Sequence, residues 1–226
     1  MKPCVIFDLD GTLCDTSADL IAAANAAFRE LGRDIALDHD RPEDRATALR
    51  GGKAMLRLGL SRLGAVDDDE VDAGYQPLLD AYESAVCVHT TFFPGAREAN
   101  LRLREAGWAT GICTNKPERM AHALMTELGA RQEFDSLVGA DTLPVRKPDP
   151  APLREAVARA GGDPMRYVLV GDTTTDRDTA RAAGVPVLLV GFLSPVAHLE
   201  GDAELDGFHE IETALSAVLP LAQTSR

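Results

Sequence analysis

The chain has 226 residues, 45% of them apolar, with 23 basic side chains against 36 acidic ones and a formal charge of −13. That length suits one domain, or one domain with a sizeable insertion, and the apolar fraction is enough to fill a core, so a disordered chain is excluded. The negative field disfavours nucleic acid and anionic membrane surfaces as partners, whereas a small anion can still bind where a site supplies its own cations.

Met1-Lys2-Pro3 leads directly into a short apolar run, Cys4 to Leu9, which reads as a buried strand and not as the longer apolar segment of a signal peptide. From Thr16 to Thr91 the pattern changes to helical spacing at Ala18 to Leu31, Ala54 to Leu63 and Asp69 to Ala85. Polar or glycine-bearing breaks such as Gly51-Gly52 separate these helices, and nothing in the stretch reads firmly as a strand. The turn at Pro94-Gly95 closes this insertion. Apolar runs then recur at Ala109 to Cys113, Tyr167 to Val170 and Pro186 to Val190. They alternate with helical patterns at Ala96 to Ala106, Glu118 to Leu128, Pro152 to Ala160 and Thr175 to Ala183, which end near Gly107, Gly129, Gly161 and Gly184.

Strand and helix in alternation predict a parallel sheet with helices on both faces. The expected organisation is an α/β core from residues 1–15 and 93–226 with a helical insertion at 16–92. The last residues, from about Gln223, read as frayed. No apolar run approaches the ~20 residues that span a bilayer. Cys4, Cys14, Cys87 and Cys113 are too sparse for a disulfide scaffold and lack zinc-type spacing, so a cytoplasmic setting with buried, reduced thiols is expected.

Ligands of open parallel sheets bind at the carboxyl ends of the strands, which directs attention to the residues that follow each apolar run. After the first come Asp8-Leu9-Asp10-Gly11-Thr12; Gly11 permits a sharp turn that can bring both carboxylates toward one pocket. Like charges gathered there need a cation, and Mg²⁺ suits an all-oxygen site to which Asp172 adds a third carboxylate from another strand. Asp176 follows it closely. Thr114-Asn115-Lys116 leads into a helix through Pro117, where a hydroxyl and backbone N–H groups make an anion pocket. Lys147 is one of only four lysines and stands before Pro148-Asp149-Pro150 as a fixed point charge.

These clusters resemble the four motifs of the haloacid dehalogenase superfamily of aspartate-nucleophile phosphatases, and within it the phosphoglycolate phosphatase-like branch. The motifs are Phe7-Asp8-Leu9-Asp10-Gly11-Thr12-Leu13 with Asp15-Thr16, then Thr114-Asn115-Lys116, Lys147-Pro148, and Gly171-Asp172-Thr173 with Asp176. Phe93-Pro94-Gly95 resembles that branch's exit from its helical cap.

The resemblance implies a three-layer Rossmann-like core with an all-helical cap, and Mg²⁺-dependent hydrolysis of a small phosphomonoester. It implies Asp8 as nucleophile forming an aspartyl-phosphate, and Asp10 as the acid and base whose backbone carbonyl also helps hold Mg²⁺. Asp172 would complete the metal site with Asp176 in support, and Thr114, Asn115 and Lys147 would hold the phosphoryl oxygens. Asp178, just beyond the motif, reads as a solvated helix residue. In the cap, Gly52 and Lys53 are the candidates for a substrate loop, with Arg50 weaker. Asp10 argues against the dehalogenase and phosphonate-cleaving branches. A phosphosugar mutase of the same branch keeps all four motifs and stays open, as does a pyrophosphatase of the same superfamily, with 2-phosphoglycolate the first substrate to test. A non-catalytic module would be expected to lose one of Asp8, Asp10, Lys147 or Asp172, and all are present.

Overall fold

The computed structural model describes residues 1–193 and 200–219; the frayed end expected from Gln223 lies outside them. In chain order the elements are β1 (Lys2–Phe7), β2 (Cys14–Asp15), α1 (Ser17–Glu30), α2 (Pro42–Ala48), α3 (Gly52–Ser61), α4 (Asp68–Ser84) and β3 (Thr91–Phe92). They continue with α5 (Ala96–Glu105), β4 (Ala109–Cys113), α6 (Glu118–Glu127), β5 (Ser136–Val138), α7 (Ala151–Arg159), β6 (Gly162–Gly171), α8 (Thr174–Ala183), β7 (Val187–Val190), β8 (Ala203–Leu205) and α9 (Ile211–Val218). Two compact units result, one from Met1–Cys14 with the chain from Phe92 onward, the other from Asp15–Thr91.

The first unit is built on a six-stranded sheet in the order β5-β4-β1-β6-β7-β8. Every adjacent pair is parallel. The central strand is buried on both faces, which is why its sequence shows no polar alternation. Cys4 and Ile6 join a core with Leu153, Ala156 and Val157 of α7, Ala180 of α8, and Tyr167, Leu169, Val187 and Leu189 from neighbouring strands. Phe7, fully buried, meets Phe134 edge-on and Phe208 at a tilt. Each apolar side chain buried this completely stabilises the fold by roughly 1.5–3 kcal/mol relative to exposure.

Register decides where the site falls. Phe7 pairs with Ile112 of β4 and with Val170 of β6, so β1, β4 and β6 end at the same level. The residues that follow them, Asp8, Thr114 and Asp172, therefore emerge on one edge of the sheet. Gly11, at φ 84°, turns the chain sharply after β1 in a backbone region that side chains disfavour.

The second unit is helical. Leu20, Ile21, Ala24, Ala27 and Phe28 of α1 are buried together with Met55, Leu56 and Leu60 of α3 and Val71, Leu78 and Tyr82 of α4. Asp19 is buried and accepts hydrogen bonds from the backbone N–H groups of Val88, His89 and Thr90, and from the Thr90 hydroxyl, so the returning chain is tied to α1.

Several elements differ from the sequence expectation. The strand expected at Tyr167 to Val170 begins earlier, at Gly162, through residues whose exposure removes the apolar signal. β5 and β8 have three residues each, too few to establish a pattern. α2 is a seven-residue helix with Pro42 at its start and little apolar content, so it was hidden among polar breaks. Gly52 is the first residue of α3 and not part of a break between helices.

Candidate active site

Asp8 leaves β1 with its backbone N–H donating to the Val170 carbonyl at 2.8 Å, which aligns it with the end of β6. Its carboxylate lies among Asp172 and Asp176; one oxygen from each of the three falls within 4.8 Å of the others. The Asp8 Oδ1 atom is buried with no hydrogen-bond donor, and Lys147 Nζ stands 3.0 Å from it as an ion-pair partner. Loss of water is the main reason the Asp8 carboxyl is pushed up to about 6; Lys147 opposes the shift, and Asp176 and Asp10 reinforce it.

Asp172 follows β6. Its Oδ1 accepts the Thr12 hydroxyl at 2.8 Å, a link from the first turn to the fourth strand end. Desolvation, then the charges of Asp176 and Asp8, raise its carboxyl well above the ordinary carboxylate range. Asp176 sits at the start of α8 and is completely buried. It forms a reciprocal cap with Thr173: its Oδ2 accepts from the Thr173 N–H at 3.1 Å and hydroxyl at 2.6 Å, and the Thr173 hydroxyl oxygen accepts from its N–H. Gly171 makes this approach possible, because a Cβ there would lie 2.4 Å from the Cβ of Asp176.

Lys147, 3% exposed, places its ammonium 2.6 Å from Asp176 Oδ1 as well as beside Asp8. Burial works against its charge, but the two carboxylates outweigh that cost and the ammonium is held more firmly than an ordinary lysine's. The Lys147–Pro148 peptide is cis, and Asn115 donates from Nδ2 to the Lys147 carbonyl at 3.0 Å. Thr114 is buried beyond the end of β4, with its N–H on the Val138 carbonyl and its hydroxyl oxygen accepting the Lys116 N–H at 3.1 Å.

Asp10 takes a different partner. Immediately before the Gly11 turn, its Oδ1 receives the Lys116 ammonium at 2.8 Å. The core edge thus holds four carboxylates, Asp8, Asp10, Asp172 and Asp176, and two ammoniums, leaving an excess of two negative charges when all are ionised. A hard divalent cation fits this deficit: the donors are all oxygen, one Asp8 oxygen lacks a donor, and the carboxyls of Asp8 and Asp172 are both driven up by burial and then by the neighbouring carboxylates.

The remaining candidates have the following surroundings. Lys53, near the start of α3, is half exposed, pairs with Asp72 at 2.6 Å and stands 5.3 Å from the centre of the Tyr75 ring. Gly52 precedes it on the same helix, and Arg50 lies in the exposed turn before α3. Asp178 pairs with its neighbour Arg177 on α8. The four cysteines are free, with Cys4, Cys14 and Cys113 buried. The sequence motifs contain Lys116 and Thr12 but assign neither a task. The scarcity of lysine was the available signal for Lys116; nothing local in the sequence marks the partner of Thr12.

Fold and site together define a parallel α/β enzyme with an acidic, lysine-buttressed centre at the carboxyl edge of its sheet. The chain belongs to the haloacid dehalogenase-like hydrolases, whose family model matches residues 2–184. It is 38% identical over 192 residues to a phosphoglycolate phosphatase of Mesorhizobium japonicum, covering 84% of this chain and 83% of that one. A phosphoglycolate phosphatase of Caulobacter vibrioides is 34% identical over 220 residues, covering 95% and 91% respectively. The fold is similar to that of a predicted phosphoglycolate phosphatase from Haemophilus somnus, with a TM-score of 0.77 at 22% identity, over 94% of this chain and 97% of that structure. Among the described residues no helix is long and apolar enough to cross a membrane.

Proposed function

We propose that the protein is a Mg²⁺-dependent phosphomonoesterase acting on a small phosphorylated metabolite, with 2-phosphoglycolate as substrate. The observation that carries this reading is the Asp8 carboxylate at the end of the central strand, with an oxygen that accepts no hydrogen bond and with Asp172, Asp176 and Lys147 around it. The names of the relatives support the choice of substrate.

Asp8 attacks phosphorus while the bond to the leaving oxygen breaks, giving an aspartyl-phosphate and splitting one difficult displacement into two. Asp10 delivers a proton to the leaving oxygen and then accepts one from the water that attacks the phosphoenzyme. Lys147 balances charge between Asp8 and the incoming phosphoryl oxygens, and the Thr114 hydroxyl with the Asn115 backbone N–H holds those oxygens. Asp8, the Asp10 backbone carbonyl and Asp172 would hold Mg²⁺, with Asp176 in support. When bound, the ion supplies the positive charge that lets two anionic groups meet. In the insertion, Gly52 and Lys53 are assigned to the leaving group.

The test is phosphate release from a panel of 2-phosphoglycolate, sugar phosphates, nucleoside monophosphates and pyrophosphate, with Mg²⁺ and with EDTA. The expected result is Mg²⁺-dependent turnover with the highest kcat/KM on 2-phosphoglycolate. A preference for pyrophosphate or a sugar phosphate overturns the substrate, and no turnover of any ester overturns the reaction. Lys53→Ala should raise KM for 2-phosphoglycolate more than for an aryl phosphate, and equal effects remove Lys53 from substrate binding.

A further inference from the structure

Lys116 has no part in the steps above, yet it is 7% exposed and carries an ammonium at the reacting edge. Its main chain is pinned on both sides: the N–H donates to the Thr114 hydroxyl oxygen and the carbonyl accepts from the Ala140 N–H at 3.0 Å. From that fixed origin the side chain reaches Asp10 Oδ1 at 2.8 Å. Burying an ammonium is costly, and an acidic chain with few lysines places two of them here, on different carboxylates. Lys147 faces Asp8, where phosphorus must sit. Lys116 faces Asp10, where the leaving oxygen must sit.

We infer that Lys116 is a specificity-determining residue that recognises a carboxylate attached to the same carbon that bears the leaving oxygen, so that the preferred substrates are phosphoesters of α-hydroxy acids. This rests on the substrate reading above and assigns it to a residue of the core. With the Lys116 ammonium on Oδ1, Asp10 retains Oδ2 for the proton exchanged with the leaving oxygen. In a phosphorylated α-hydroxy acid the carboxylate is one methylene away from that oxygen, within reach of a lysine already held against Asp10. A neutral substituent at the same place forgoes the charge-assisted contact with Lys116, whose ammonium then serves Asp10 without a second anion, and the site discriminates against it. A protein with a strongly negative overall field needs such a local cation to admit a substrate with two anionic groups.

The experiment compares kcat/KM for 2-phosphoglycolate with that for 2-hydroxyethyl phosphate, of similar size and without the carboxylate, in wild type and Lys116→Met. Loss of Lys116 also strips Asp10 of its partner, which slows both esters alike, so the readout is the ratio between them. The wild type should favour 2-phosphoglycolate, and the variant should lose that preference by a factor on the order of 100, the loss expected when one partner of a buried charge pair is truncated. Lys116→Gln, nearly as long and able to keep a hydrogen bond to Asp10, should lose it too and carries the test if the Met variant does not fold. A wild-type ratio in a folded Lys116 variant overturns the inference and leaves the substrate reading standing. A wild-type enzyme that hydrolyses both esters equally overturns the substrate reading, and the inference with it.

Discussion

Replacing Lys147 with Met removes one charge at nearly constant volume and should destabilise the metal-free protein severely. In the native state the ammonium lies 2.6 Å from Asp176 and 3.0 Å from Asp8, and its side chain is 2% exposed. Asp176 is worse placed than Asp8 to lose it: Asp176 is fully buried and its other oxygen already serves Thr173. Removing one partner of a buried pair costs about 3–5 kcal/mol, because the other charge stays uncompensated. For a chain of this size each kcal/mol lowers Tm by about 2–4 °C, so the variant should melt about 6–20 °C below wild type.

The assay is thermal and urea unfolding in EDTA near pH 7.5. At that pH the contribution of Lys147 is fully present, since a lysine held above its ordinary pKa loses its stabilising effect only as pH rises past the unfolded value of about 10.4. Saturating Mg²⁺ should shrink the deficit, by supplying positive charge to the same carboxylates. The double variant Lys147→Met with Asp176→Asn should be more stable than Lys147→Met alone, because the stranded charge is gone. A loss below about 1 kcal/mol, the value typical of exposed pairs, would refute the electrostatic account of the cluster, as would strict additivity in the double variant.

Asp8→Asn should reduce turnover by at least about a thousandfold on every phosphoester, measured as phosphate release from a sample pure enough to exclude a contaminating phosphatase. The same substitution should stabilise the protein in EDTA. A native carboxyl at about 6 against an ordinary 3.8 means that the folded state binds the proton more tightly, so stability falls as pH rises through that interval. The advantage of Asp8→Asn over wild type should be near zero at pH 4 and about 1–3 kcal/mol above pH 6, and a constant offset across that range would contradict it. Mg²⁺ at about 100 times its Kd should stabilise wild type by about 2.7 kcal/mol, a gain that Asp172→Asn should largely abolish in a melting experiment. Gly171→Ala should lower stability by about 1–3 kcal/mol and reduce kcat, since the new methyl group collides with Asp176; a variant with wild-type melting and kcat would show that α8 yields freely.

The parts of the fold that could be read from the sequence are those whose physics is local. β1, β4 and β7 are short apolar runs because both sheet faces are covered, and α5 to α8 announce themselves by apolar spacing and a following glycine. β5 and β8 could not be read this way, since three residues forming a strand beside a longer neighbour owe their conformation to the pairing and not to their own pattern. The site divides along the same line. That Asp8, Thr114 and Asp172 share an edge follows from strands ending together, which alternation alone suggests. What the carboxylates then face depends on distances across the chain. Spacing groups Asp8 with Asp10, yet the Asp10 side chain pairs with Lys116, while Asp176, remote in sequence, closes on Asp8 and Lys147. Each half of this edge therefore has its own ammonium: Lys147 leaves the Asp8, Asp172 and Asp176 cluster two negative charges in excess, whereas Lys116 balances Asp10, and on the proposed function a substrate bearing two anions meets a different lysine with each of them.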